Sequence, residues 1–161
     1  MEYAIVFLPL LGSFISGFFG KKIGEKNSQF FTSILIAISG ILSLIIFYKV
    51  LFHDYSTNKI IFHWISSGDF NVNWSIYIDA LTAVMLVVVS LISSIIHFYS
   101  IGYMNHDPHK PRFMAYLSLF TFAMLTLVTA DNFLQLFFGW EGVGLCSYFL
   151  IGFWYKKKTA N

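Results

Sequence analysis

Phe133-Leu-Gln-Leu-Phe-Phe-Gly-Trp-Glu-Gly-Val-Gly-Leu-Cys-Ser-Tyr-Phe-Leu-Ile-Gly-Phe-Trp-Tyr155 contains one charged residue, Glu141. A membrane-crossing helix needs roughly 17–25 predominantly apolar residues, and this run supplies them. A carboxylate near the bilayer centre costs about 3 kcal/mol on insertion scales, and acids kept there typically move protons or ions. With Asn132 at the surface, a rise of about 1.5 Å per residue places Glu141 about 13 Å deep. The hydrocarbon core is about 30 Å thick, so the carboxylate falls near its middle. Gly144, Tyr148 and Gly152 follow at i+3, i+7 and i+11. The spacing predicts a packed polar seam on which glycines admit a neighbouring helix. Ser147 and Tyr148 are expected to hydrogen-bond into it, with Glu141 turned toward protein or trapped water. Burial disfavours a charged carboxylate and a nearby cation restores it, the sensitivity a proton-loading site needs. The structural alternative is a protonated carboxyl that only bridges helices.

Outward from this run, composition gives the same class. Of 161 residues, 57% are hydrophobic and 11% charged, against roughly 25% charged in soluble domains. Four further runs lack Asp, Glu, Lys and Arg: residues 3–20, 29–48, 80–104 and 113–130. None alternates strictly, which argues against a β-barrel. The fold expected is an all-α integral membrane protein of five transmembrane helices. The formal net charge of +2 gives no reason to expect nucleic acid. The lone Cys146 excludes an intrachain disulfide. No basic segment precedes the first run, so it is no ordinary signal peptide.

Lysine and arginine set the expected orientation. With the N-terminus outside, the inner segments hold Lys21, Lys22, Lys26, Lys110, Arg112 and Lys156–Lys158, leaving only Lys49 and Lys59 outside. This pattern is positive-inside, with the C-terminus inside. The run Lys156–Lys158 reads as a stop-transfer signal, in contact with lipid headgroups. The longest connection, residues 50–75, holds Trp64, Trp74, Asp54, Asp69 and an alternating piece at 60–65. It is expected to form an interfacial hairpin or short strand pair. Asp131 and Asn132 leave only a tight turn between the last two helices. Two regions follow, 1–75 and 76–161.

Other chemistry-bearing residues weigh less. His97, near the inner end of the third helix with Ser90, Ser93, Ser94 and Ser100 about it, could relay a proton. A plain hydrogen bond to a serine or the backbone serves equally well. Asp79 opens the same helix, where the helix dipole favours an acid; a proton mouth is the weaker reading. His106-Asp-Pro-His109 offers too few ligands for zinc. Gly139-Trp-Glu-Gly-Val-Gly144 lacks the preceding strand a nucleotide loop requires. No metal and no bound cofactor are expected on this chain.

The run 138–155 resembles the fifth-helix signature of the large antiporter-like subunit of NADH:quinone oxidoreductase, subunit L of the bacterial enzyme or mitochondrial chain 5. The resemblance continues through Ile78-Asp-Ala-Leu-Thr-Ala-Val-Met85, Ile96-His-Phe-Tyr-Ser-Ile-Gly-Tyr-Met104, Arg112-Phe-Met-Ala-Tyr-Leu-Ser-Leu-Phe120 and Ala130-Asp-Asn132. It implies a non-redox, proton-translocating subunit of respiratory complex I in a bacterial or mitochondrial inner membrane. Its partners would be the other membrane subunits and the lipid bilayer. NADH, FMN, Fe–S clusters and quinone would belong to other subunits. Glu141 matches the family's fifth-helix glutamate, which pairs with a lysine on a later helix. Every basic residue here flanks a helix, so the resemblance implies an N-terminal part of the subunit. The alternatives are a subunit of a multisubunit Na+/H+ antiporter, which shares this fold, and an inactive remnant.

Overall fold

The computed structural model describes residues 1–68 and 70–155; Asp69 and the stop-transfer lysines Lys156–Lys158 lie outside the described residues. Five α-helices and one β-hairpin make up the described residues. The helices are α1 (Glu2–Ile23), α2 (Glu25–His53), α3 (Ala80–Tyr103), α4 (Lys110–Val128) and α5 (Phe133–Ile151). A short 3-10 turn, Gly152–Trp154, continues α5. Between α2 and α3 lie β1 (Thr57–Ser67) and β2 (Phe70–Ile78). All five helices are long and apolar enough to cross a membrane.

Local chemistry sets the boundaries. Asp79 caps α3 by accepting the Thr82 N–H at 2.7 Å, and Asn132 caps α5 by accepting the Gln135 N–H at 2.9 Å; side-chain acceptors satisfy amides that a helix start leaves unpaired. Pro111 sits in the first turn of α4, where a missing N–H costs nothing. The sequence suggests a polar loop over residues 21–28. Instead α1 and α2 are separated by Gly24 alone, whose φ of 93° is open to glycine and strained for other residues. At 29 residues, α2 is about 43 Å long at 1.5 Å per residue, well beyond its apolar run.

The helices α1 to α4 form a bundle, with α1 against both α2 and α4, and α2 against α3. The fifth helix rests chiefly on α4. The hairpin is longer than the alternating piece suggests: Thr57 faces Ile78 and Ser67 faces Phe70, with irregularities after Ile60 and His63. It seats part of its apolar surface on one end of the bundle, while Ile60, Phe62, Ile65 and Phe70 stay exposed. Ile76 and Ile78 join Ile5, Val6, Ile46, Ala83, Leu86 and Leu125 in the core, with Ile61 packed against it. Topology gathers Lys21, Lys22, Lys26, Lys110 and Arg112 at the end opposite the hairpin, while Lys59 lies on the hairpin itself.

Candidate functional site

Two faces of α5 differ in kind. The stripe Gln135, Gly139, Gly142 and Cys146, spaced four, three and four, turns toward α4. A Cβ built on Gly139 would lie 2.7 Å from the backbone of Leu127, and one on Gly142 3.1 Å from the Ala123 methyl. These two glycines set the approach of the helices. Glu141 is two residues past Gly139, about 200° around the helix, since each residue turns about 100°. It is exposed, as are Phe137, Trp140, Tyr148 and Ile151, Tyr148 at 72%. Glu141 and Tyr148 do share a face, but that face points out of the bundle. A Cβ on Gly144 or Gly152 would meet nothing within 4 Å. This corrects the packed seam expected from the sequence. The small residues that admit a neighbour are on the opposite stripe, and the Glu141 face has no neighbour among the described residues. Glu141 is the ninth residue of a helix of 19, so it is close to mid-helix.

The histidine lies in a different environment. His97 is fully buried. Its Nδ1 is 2.8 Å from the Ser93 carbonyl and its Nε2 is 3.1 Å from Ser118 Oγ. A carbonyl only accepts, so Nδ1 carries a hydrogen, and Nε2 pairs with the Ser118 hydroxyl. Ser93 Oγ also pairs with Thr121 Oγ1 at 2.5 Å. Toward the hairpin end, Ser90 Oγ lies 3.0 Å from Ser43 Oγ, and Ser39 donates to the Ile5 carbonyl at 2.7 Å. This arrangement holds the imidazole between the Ser93 carbonyl of its own helix and the Ser118 hydroxyl of α4. Ser118 and Leu127 are nine residues apart on α4, half a turn in net rotation. His97 and Glu141 therefore sit on opposite sides of α4 and do not form one site. Asp79 stands apart as the α3 cap.

Two polar groups escape a reading by apolar runs. Gln135 is 1% exposed; its Nε2 donates to the Ser75 carbonyl at 2.7 Å and its Oε1 accepts the Ser75 N–H at 3.0 Å. One amide thus clips the hairpin to α5. The signal was present, because Gln135 falls on the same stripe as Gly139 and Gly142. The second group is Glu2, which accepts the Tyr55 hydroxyl at 2.6 Å and the Lys59 ammonium at 3.0 Å. These bonds hold the Tyr55 and Lys59 pKa values above their usual ranges, because Glu2 favours the protonated form of each.

Five bilayer-length helices and a mid-helix carboxylate define a polytopic membrane protein with an ionisable group in one span. Residues 64–114 match the family model for NADH-ubiquinone oxidoreductase (complex I), chain 5 N-terminus, and residues 130–161 the model for NADH:quinone oxidoreductase/Mrp antiporter transmembrane regions. NADH-ubiquinone oxidoreductase chain 5 of Arabidopsis thaliana is 55% identical over all 161 residues, which cover 24% of that protein. Its counterpart in Phytophthora infestans is 54% identical over 98% of this chain and 24% of its own length. A Neurospora crassa protein named probable intron-encoded endonuclease 4 is 48% identical over the whole chain and 30% of its own length. The chain belongs to the NADH-ubiquinone oxidoreductase chain 5 family. It spans about a quarter of the length of the chain 5 relatives.

Proposed function

We propose that this chain contributes to the proton-translocating membrane arm of an NADH:quinone oxidoreductase, with Glu141 as its proton-loading group. The supporting observation is the carboxylate itself, at mid-helix on a face that α4 leaves uncovered. Lipid does not solvate such a group, so the face calls for further protein. A helix bringing a cation within about 4–6 Å would favour the ionised form, and its withdrawal would favour proton uptake. Alternation between the two loads and releases one proton per cycle. The face is also broad enough for a helix, since Gly144 leaves room beside Glu141 and Tyr148. Electron transfer from NADH through FMN and Fe–S clusters to quinone is assigned to other subunits, as the family resemblance implies. The complex would lie in a bacterial or mitochondrial inner membrane.

The test is Glu141→Gln in membranes holding the assembled complex. Proton pumping per NADH oxidised is expected to fall sharply, while NADH oxidation by an artificial acceptor persists. Unchanged pumping removes the role from Glu141. The family model over α5 also covers Mrp antiporters, which supports a second reading as a cation/proton antiporter subunit. Na+/H+ exchange in vesicles without NADH would favour that reading over the first.

A further inference from the structure

We propose that the cavity between the C-terminal end of α1 and the start of α4 holds the phosphate headgroup of an anionic phospholipid. The cavity measures about 760 Å³. Lys21 and Arg112 stand on its wall, and neither has a carboxylate partner among the described residues. The acid at its rim, Glu25, is engaged by Lys110 at 2.9 Å. His109, also at the rim, has its Nδ1 3.5 Å from Asp107. The cavity itself therefore carries a surplus of positive charge.

Arg112 is the second cation of this wall, and it also borders a neighbouring cavity lined by Phe153. Its guanidinium lies over the Phe153 ring at 4.6 Å, and Nη2 donates to the Phe153 carbonyl at 3.3 Å. Its Nε is buried and has no acceptor. A guanidinium matches a phosphate oxygen in charge and geometry.

The position selects a lipid over a free ion. The cavity opens at the end of the bundle where basic residues gather, which is where hydrocarbon gives way to headgroups. Basic pockets between membrane helices are suited to anionic headgroups. Gly17 and Ala115 line its inner part, where a Cβ on Gly17 would touch the Ala115 methyl at 3.6 Å. Phe18, 73% exposed, lies at the side of the cavity as a surface for an acyl chain.

Native mass spectrometry of the full chain, released from nanodiscs of equal phosphatidylcholine and phosphatidylglycerol, tests this. One phosphatidylglycerol is expected to remain bound in preference to phosphatidylcholine. Lys21→Gln and Arg112→Gln should each lower its retention about fivefold, as each surface cation near an anionic headgroup is worth that factor. Lys22→Gln, off the cavity, should leave it unchanged. Lys21 is exposed, so its variant keeps the test valid if Arg112→Gln fails to fold by circular dichroism. Equal retention of both lipids, or wild-type retention in Lys21→Gln and Arg112→Gln, overturns the proposal. Inorganic phosphate at tens of millimolar should not displace the lipid. If it does, and if it stabilises the lipid-free chain only when Arg112 is present, the occupant is free phosphate and the lipid assignment falls.

Discussion

Substituting alanine for Gly139 and, separately, for Gly144 tests which face of α5 is packed. Both changes relieve the same helix penalty, since alanine is better than glycine in a helix by about 0.5–1 kcal/mol. They differ only in what the new methyl meets. At Gly139 it would lie 2.7 Å from Leu127 N, Cα and Cβ. Ordinary contact is about 3.5–4.0 Å between carbons, so α5 must retreat by about 1 Å. The obstacle is backbone, which no rotamer change can clear. Overpacking of this kind costs about 1–3 kcal/mol. Set against the propensity gain, Gly139→Ala should be destabilising by about 0–2.5 kcal/mol. At Gly144 the methyl meets nothing, so the same change should stabilise by about 0.5–1 kcal/mol. The propensity term cancels in the difference, leaving about 1–3 kcal/mol of packing alone. Reversible unfolding of the detergent-solubilised chain measures it. Equal stabilities, or Gly144→Ala as the weaker variant, would refute the assignment of the buried stripe and with it the outward placing of Glu141.

Three other outcomes are expected. Gln135→Leu should cost about 2–6 kcal/mol, because the Ser75 N–H and carbonyl both lose a buried partner at about 1–3 kcal/mol each; hydrogen exchange should report faster opening of β2. Tyr55, with its pKa raised by the bond to Glu2, adds stability that is intact below the usual tyrosine value of about 10 and lost as pH climbs through its own higher value. Stability of the wild type should thus fall more steeply than that of Tyr55→Phe in strong alkali; parallel curves would count against the bond. Glu141→Gln should uncouple proton pumping from NADH oxidation in the assembled complex, read as protons moved per NADH.

The helices were legible because lipid imposes a length and forbids charge, so each apolar run became a helix within a few residues. The Asp131–Asn132 turn was equally plain, as Asn132 is a strong capping residue. The packed face of α5 was not legible. Glycines occur on both of its faces, and spacing cannot say which meets a neighbour. Glu141 drew attention to its own face, whereas α4 took the one carrying Gln135. The interior of α1 to α4 also escaped, because Ser39, Ser43, Ser90 and Ser118 sit in runs that look apolar. Serines at helical spacing can bond the carbonyl four residues back, as Ser43 and Ser90 do, and so carry no outward sign of burial. His97 was correctly located on its helix, but its partner Ser118 lies 21 residues away on α4.

The single-residue turn at Gly24 bears on how this protein enters a membrane. With no polar loop between them, α1 and α2 cannot be released into lipid one after the other. Any arrangement that embeds α1 and leaves α2 behind would have to unravel helix beside Gly24. The pair must therefore partition together as a helical hairpin, bend foremost or bend last, with Lys21, Lys22 and Lys26 fixing the bend on the aqueous side. Biogenesis of this region is then a two-helix event, committed at one glycine.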